Sequence, residues 1–242
     1  MIVLFTDFGA AGPYVGQMRA AIAARAPAAQ VIELLADAPA FDAQSSAYLL
    51  AALAPDFPAD AVFLAVVDPG VGGDRPPVIV EADGQRFVGP GNGLFEIVSR
   101  RATRTAAKRI EWTPQRLSPS FHGRDLFAPV AAMIETGAPV PAAPLDDTLH
   151  RRPDWPDDLD RVIYIDAYGN AMTGRRAATL PADAVLHAAG RRIAPGRVFG
   201  DVEAGTAFWY ENANGLVEIA VNRSRADGLG LAVGSTITIS IP

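Results

Sequence analysis

The sequence predicts a two-part α/β protein: a parallel-sheet domain with helices on its faces over residues 1–145, and a small all-β domain over residues 161–242. Three observations predict it. In the first half, short apolar runs alternate with Ala/Leu-rich helical stretches. Beyond residue 160 the helical periodicity gives way to short β-rich runs separated by Gly, Asn and Asp. Between the two halves Pro139, Pro141, Pro144, Pro153 and Pro156 interrupt regular structure in an acidic stretch, so a linker is expected at 146–160.

Each element has its own signal. Ile2 to Thr6 is a short apolar run that reads as the first strand, followed by a loop carrying Gly9 and Gly12. Pro13 opens a helical stretch that ends near Ala26-Pro27, and Val31 to Leu34 reads as the second strand. Ala43 to Ala54 is helical, with Asp42 as its N-cap. Ala61 to Val67 is continuously apolar, the pattern of a strand buried on both faces. Strand, helix, strand, helix, strand makes a Rossmann-like parallel sheet. Val78 to Ala82 and Arg86 to Gly89, joined by Asp83-Gly84, predict a hairpin added to it. Arg124 to Thr136 is a last helix, with Leu126, Phe127, Val130, Met133 and Ile134 on one face. In the second half Val162 to Ile165, Phe208 to Tyr210, Leu216 to Val221 and Thr236 to Ile241 read as strands of a barrel or sandwich.

Composition excludes several functions. Half the residues are hydrophobic and a fifth charged, ordinary for a globular chain, and the formal net charge is -6. An acidic chain with only Arg doublets, Arg100-Arg101 and Arg151-Arg152, argues against a nucleic-acid partner, and both doublets are expected on solvated surface. With no cysteine there is no disulfide, thiolate nucleophile or Cys-based zinc site. Met1 to Phe5 lacks a basic flank, so it reads as a strand and not a signal peptide. No window approaches the ~20 apolar residues of a membrane span. A soluble, cytoplasmic protein without metal or cofactor is expected.

Ligands of open parallel sheets bind beyond the carboxyl ends of the strands. The first strand ends in Thr6-Asp7-Phe8-Gly9, where Asp7 suits the hydroxyls of a sugar or simply caps the next helix. The third ends in Asp68-Pro-Gly-Val-Gly-Gly-Asp-Arg75, which lacks the Lys-Ser/Thr of a phosphate-binding loop and does not fit GxGxxG. His122 sits at the mouth of the last helix, whereas His150 and His187 lie in polar segments without companions. In the second half Asp166, Tyr168 and Asn170 end a strand, and suit either a nucleoside with an amino-acid tail or an Asx-rich turn.

In combination these segments resemble the S-adenosylmethionine hydroxide adenosyltransferase family, the adenosine-forming S-adenosylmethionine hydrolases. The resemblance rests on Thr6 to Gly9, Val66 to Gly72 with Arg75, Gly89 to Leu94, Phe121 to Pro129, Asp166 to Asn170 and Val217 to Asn222, and spans nearly the whole chain. It implies an α/β domain followed by a β-barrel-like domain, and a homotrimer with sites at subunit interfaces. It implies that Asp68, Arg75 and His122 activate a water that splits S-adenosylmethionine into adenosine and methionine. Asp7 would hold the ribose hydroxyls, Phe41 and Phe121 would line the substrate, and Asp166 would meet the methionine ammonium. Tyr168 and Asn170 would flank and bond the adenine, with the chain around Asn222 to Ser224 completing that pocket. The chain departs from the family pattern at Tyr168, usually Phe, at Gly91, usually Asp, and at Gly174, usually Asn. Two other readings stand beside this one: a halide-using relative of the same fold, which lacks the Asp/Arg/His set and carries an added loop, and a non-catalytic nucleoside-binding module, which leaves that set without a purpose.

Overall fold

The computed structural model describes residues 1–241, and the chain divides into two compact units, Met1–Trp155 and Pro156–Pro242. Each unit is built around one seven-stranded sheet.

In the first unit β1 (Ile2–Thr6) lies between β2 (Val31–Leu35) and β3 (Val62–Val66), all parallel. Every residue of β1 and β3 is buried, so both faces of the sheet are covered. On one face Ile2, Leu4, Val62 and Leu64 pack with Met18 and Ile22 of α1 (Tyr14–Ala23) and Val130 of α4 (Ala128–Glu135). Side chains alternate along a strand, which turns Val3 and Phe5 to the opposite face. α2 (Ala43–Leu53) starts where Asp42 accepts the Ser45 N–H at 2.9 Å, the expected N-cap.

The sheet is mixed rather than parallel. Its order is β2-β1-β3-β5-β4-β6-β7, and only the first four of these strands run parallel. β4 (Pro77–Ala82) and β5 (Gln85–Pro90) form the expected hairpin, with Asp83 and Gly84 both at positive φ as a two-residue turn requires. β6 (Thr105–Ile110) and β7 (Ala142–Pro144) extend it antiparallel. These two had no sequence signal, because their residues are mostly exposed or half-buried and so carry no apolar run; β7 is the edge of the sheet and β6 lies next to it.

The helix expected from Arg124 is broken. Gly123–Phe127 forms a π-helical turn and the α-helix starts only at Ala128. Pro129 has no N–H to offer the Asp125 carbonyl four residues back, so the turn widens before α4 begins.

The stretch 146–160 is not a free tether throughout. Arg151 and the Arg152 N–H bind the carboxylate of Glu96, on the short helix α3 (Glu96–Arg101), and Arg100 binds it from its own helix at 2.7 Å. Glu96 is buried, so Arg100 and Arg151 are anchors of that segment and not merely solvated doublets.

The second unit orders its strands β14-β10-β11-β12-β13-β9-β8. They are β8 (Leu159–Ile165), β9 (Ala171–Arg176), β10 (Val185–Ala188), β11 (Arg191–Pro195), β12 (Ala207–Glu211), β13 (Leu216–Val221) and β14 (Thr238–Ser240). The sheet curls until Val162 N–H bonds the Ser235 carbonyl and Ile237 N–H that of Asp160, so the two edges meet just ahead of β14. Val162, Leu186, Ile193, Trp209, Val217 and Ile219 fill the interior. No helix among the described residues is long and apolar enough to cross a membrane.

Candidate active site

The parallel register aligns Thr6 with Val66, so β1 and β3 deliver Asp7 and Asp68 side by side at the same edge. Burial raises the Asp7 carboxyl above the usual carboxylate range and the negative Asp68 adds to this, against the Phe41 N–H that donates to Asp7 at 3.0 Å. Phe41 adopts φ +59°, uncommon for a bulky residue, and its ring is 78% exposed.

Asp68, Arg75 and His122, far apart in sequence, meet. Arg75 grips Asp68 from Nε, 3.1 Å to Oδ1 and 3.0 Å to Oδ2, and also from Nη2 to Oδ2. The same Nη2 lies 2.9 Å from His122 Nδ1. Glycine makes this convergence possible. Gly72 holds φ +80°, and a Cβ there would sit 2.5 Å from the Pro119 carbonyl, so the loop after β3 can lie flat on the loop that carries His122. Asn92 holds the end of β3 itself, donating its amide to the Val67 carbonyl at 2.9 Å.

Asp68 and His122 face a cleft of about 460 Å³, while Arg75 lies behind them with its guanidinium 5.3 Å from the centre of the Phe127 ring. Phe8, Tyr14 and Phe121 form one wall, each ring edge-on to the others at 5.4–5.9 Å. Burial and the Arg75 charge lower His122 below the ordinary histidine value, which keeps it neutral near pH 7, although Asp68 and Asp125 pull the other way.

Asp166, Tyr168 and Asn170 come together on the second unit, lining a cavity of about 700 Å³ with Tyr210, Glu218 and Arg223. Asp166 accepts the Asn170 N–H at 2.8 Å and its side-chain amide at 3.0 Å, which closes the tight turn. One amide hydrogen and the carbonyl oxygen of Asn170 stay available to a ligand. Tyr168 projects outward, 79% exposed. The Asn222 side chain does not line this cavity. Its amide is taken by the Val202 carbonyl, a structural role that leaves Arg223 and Ser224 at the cavity wall.

Glu218 had no assigned role, yet it is buried in this cavity with Oε1 on the Tyr210 hydroxyl and Oε2 2.8 Å from the Asn212 amide. Its signal in the sequence is a lone Glu inside the apolar run Leu216 to Val221. Burial raises its carboxyl, and the negative Asp166 raises it further, against those two hydrogen bonds. Tyr210 is pushed up by burial and by the adjoining Glu218.

Two departures from the family pattern have steric reasons. A Cβ at Gly91 would lie 2.9 Å from Pro76 and Val78, and one at Gly174 would lie 2.6 Å from the Leu159 Cβ.

Comparison with known proteins adds a second line. Residues 2–143 match the SAM hydroxide adenosyltransferase N-terminal domain, and residues 160–238 match the C-terminal domain of the same family. The (R)-S-adenosyl-L-methionine hydrolase of Thermus thermophilus is 37% identical, over 98% of each chain. The protein of the same name from Salinispora arenicola is 34% identical, over 97% of this chain and 95% of its own. A crystal structure of an uncharacterized conserved protein from Thermotoga maritima superposes with TM-score 0.86 at 29% identity, covering 99% of this chain and 100% of that one.

Proposed function

The chain belongs to the SAM hydroxide adenosyltransferase family, and from that membership we propose that it hydrolyses S-adenosylmethionine to adenosine and L-methionine, with Asp68, Arg75 and His122 as the water-activating set. The observation that carries the residue assignment is the convergence of those three side chains, with Asp68 and His122 on one cleft.

The chemistry asks little of the protein. A water oxygen attacks the ribose 5′ carbon, the carbon–sulfur bond breaks, and its electron pair stays on sulfur. The leaving group is a neutral thioether and needs no proton. What remains is to orient and partly desolvate one water and to take up its proton, and orientation alone supplies ~7–11 kcal/mol when the attack geometry is good. No metal or cofactor enters this scheme. Asp7 is assigned to the ribose hydroxyls, with Phe41 and Phe121 against the substrate. Asp166 is assigned to the methionine ammonium, Tyr168 and Asn170 to the adenine, and the backbone beyond Asn222 to the rest of that pocket.

The relatives' names specify the R configuration at sulfur, and we assign the same epimer here. Incubation with each sulfonium epimer, with and without chloride or fluoride, tests the reading by chromatography. Adenosine and methionine from the R epimer support it. A 5′-halo nucleoside would replace it by the halogenase reading, and two unchanged epimers by a nucleoside-binding one. The working assembly is proposed to be a cytoplasmic homotrimer with sites at subunit interfaces, which light scattering on the purified protein tests.

A further inference from the structure

A guanidinium is donor on all five N–H groups and accepts nothing, so the 2.9 Å contact between Arg75 Nη2 and His122 Nδ1 has only one sense: Nδ1 accepts. The neutral ring must then carry its proton on Nε2, the nitrogen opposite. Arg75 stands behind the cleft and His122 on it, and Nε2 has no hydrogen-bond partner among the described residues. The cleft therefore receives an N–H from His122 and a carboxylate from Asp68, both fixed by one arginine.

We propose that His122 acts in the hydrolysis as an Nε2–H hydrogen-bond donor to the attacking water, that Asp68 is the acceptor of the water's proton, and that Arg75 is a positioning residue for both. This rests on the hydrolase reading above. The water donates one hydrogen to an Asp68 oxygen and accepts from Nε2–H through one lone pair, leaving its other lone pair to attack the ribose carbon. As the carbon–oxygen bond forms and the carbon–sulfur pair leaves on methionine, the proton passes to Asp68, which later loses it to solvent. A histidine acting as base would need a bare Nε2, and hence a proton on Nδ1 pointing at the guanidinium. The charged groups facing His122 are Arg75, Asp68 and Asp125, and Arg75 is the one in hydrogen-bond contact with the ring.

The test has two parts that fail separately. Long-range 1H–15N spectra of the 15N-histidine-labelled protein, with His122 assigned by its loss in His122→Gln, read the tautomer without any substrate. A protonated Nε2 with a bare Nδ1 between pH 6.5 and 8 is expected, and a protonated Nδ1 overturns the proposal. In Arg75→Met, which keeps the stem but removes every donor, the spectrum is expected to shift to a mixture of tautomers; an unchanged tautomer removes the positioning role from Arg75. Turnover of S-adenosylmethionine supplies the second part. Gln keeps a donor near the Nε2 position but cannot act as a base, so His122→Gln is expected to turn over about tenfold faster than His122→Ala. Equal loss in the two overturns the donor role. A wild-type protein that leaves the substrate intact defeats the hydrolase reading alone, and the tautomer result stands by itself.

Discussion

Asn92 donates its side-chain amide to the main-chain carbonyl of Val67 at 2.9 Å, one residue before Asp68. The same side chain accepts the Leu94 N–H at 3.2 Å, so a single asparagine ties the loop after β5 to the end of β3. Asp68 owes its place to that tie as well as to Arg75. Asn92→Ala is expected to cost about 1 kcal/mol of stability, the net worth of a hydrogen bond. Turnover should fall further, by about 10–100-fold, because misplacing a reacting group by an ångström is costly. Thermal unfolding and steady-state kinetics on one preparation check this; a turnover loss no larger than the stability loss accounts for would make Asn92 structural only.

Gly72 is the second hinge of the site. With φ +80° and the Pro119 carbonyl 2.5 Å from its missing Cβ, Gly72→Ala must lift one loop off the other. A destabilisation of about 1–3 kcal/mol is expected. Because His122 and Arg75 lie on the two loops being separated, kcat should drop with little change in KM. Kinetics that match wild type would show that the loops reach their contact by another route.

How much of this was legible in the sequence follows from burial. β1 and β3 are wholly buried and read directly as apolar runs, and Asp42 and Asp83-Gly84 announced a cap and a turn. β6 and β7 left no trace, since strands that are mostly exposed or half-buried carry no apolar run. Asp68, Arg75 and His122 were individually weak signals that only the family resemblance joined. What unites them physically, the Gly72–Pro119 approach and the Asn92 tie, is long-range geometry that spacing along the chain cannot express. At Asn222 the sequence could not say which part of the residue faces the cavity: its side-chain amide holds the Val202 carbonyl, and the following Arg223 and Ser224 line the cavity.

Glu96 ties residues 151–152 to the first unit, and its pKa predicts acid sensitivity. Burial pushes the carboxyl up, but Arg151, the Arg152 N–H and Arg100 outweigh it and hold it at about 2 against an ordinary 4.5. Since the folded value lies below the unfolded one, the stabilisation is complete above about pH 4.5 and disappears as pH falls toward 2. The shift corresponds to something on the order of 3 kcal/mol. Denaturant titrations between pH 3 and 7 on wild type and Glu96→Gln are expected to converge at the acid end and separate toward neutrality. Parallel curves would mean that the ion cluster contributes nothing to folding.

Glu218 poses the reverse case, a buried carboxylate raised above its ordinary value by burial and by Asp166. A raised folded pKa makes the native state hold its proton longer than the unfolded one, so this group costs stability as pH rises through its titration. Glu218→Gln should therefore be neutral or stabilising near pH 7. Its hydrogen bonds survive: the Gln carbonyl accepts from the Asn212 amide, and its NH2 donates to the Tyr210 hydroxyl, which can accept. Asn212 itself cannot flip, because its oxygen already receives the Asn214 and Leu216 N–H groups at 3.0 Å. If this cavity receives the cationic end of S-adenosylmethionine, removing one of its two carboxylates should weaken the substrate by about tenfold and leave neutral adenosine unaffected. The predicted signature is a stable Glu218→Gln protein with raised KM, unchanged kcat and unchanged inhibition by adenosine. Weakening of both ligands alike would mean that Glu218 shapes the cavity without sensing charge.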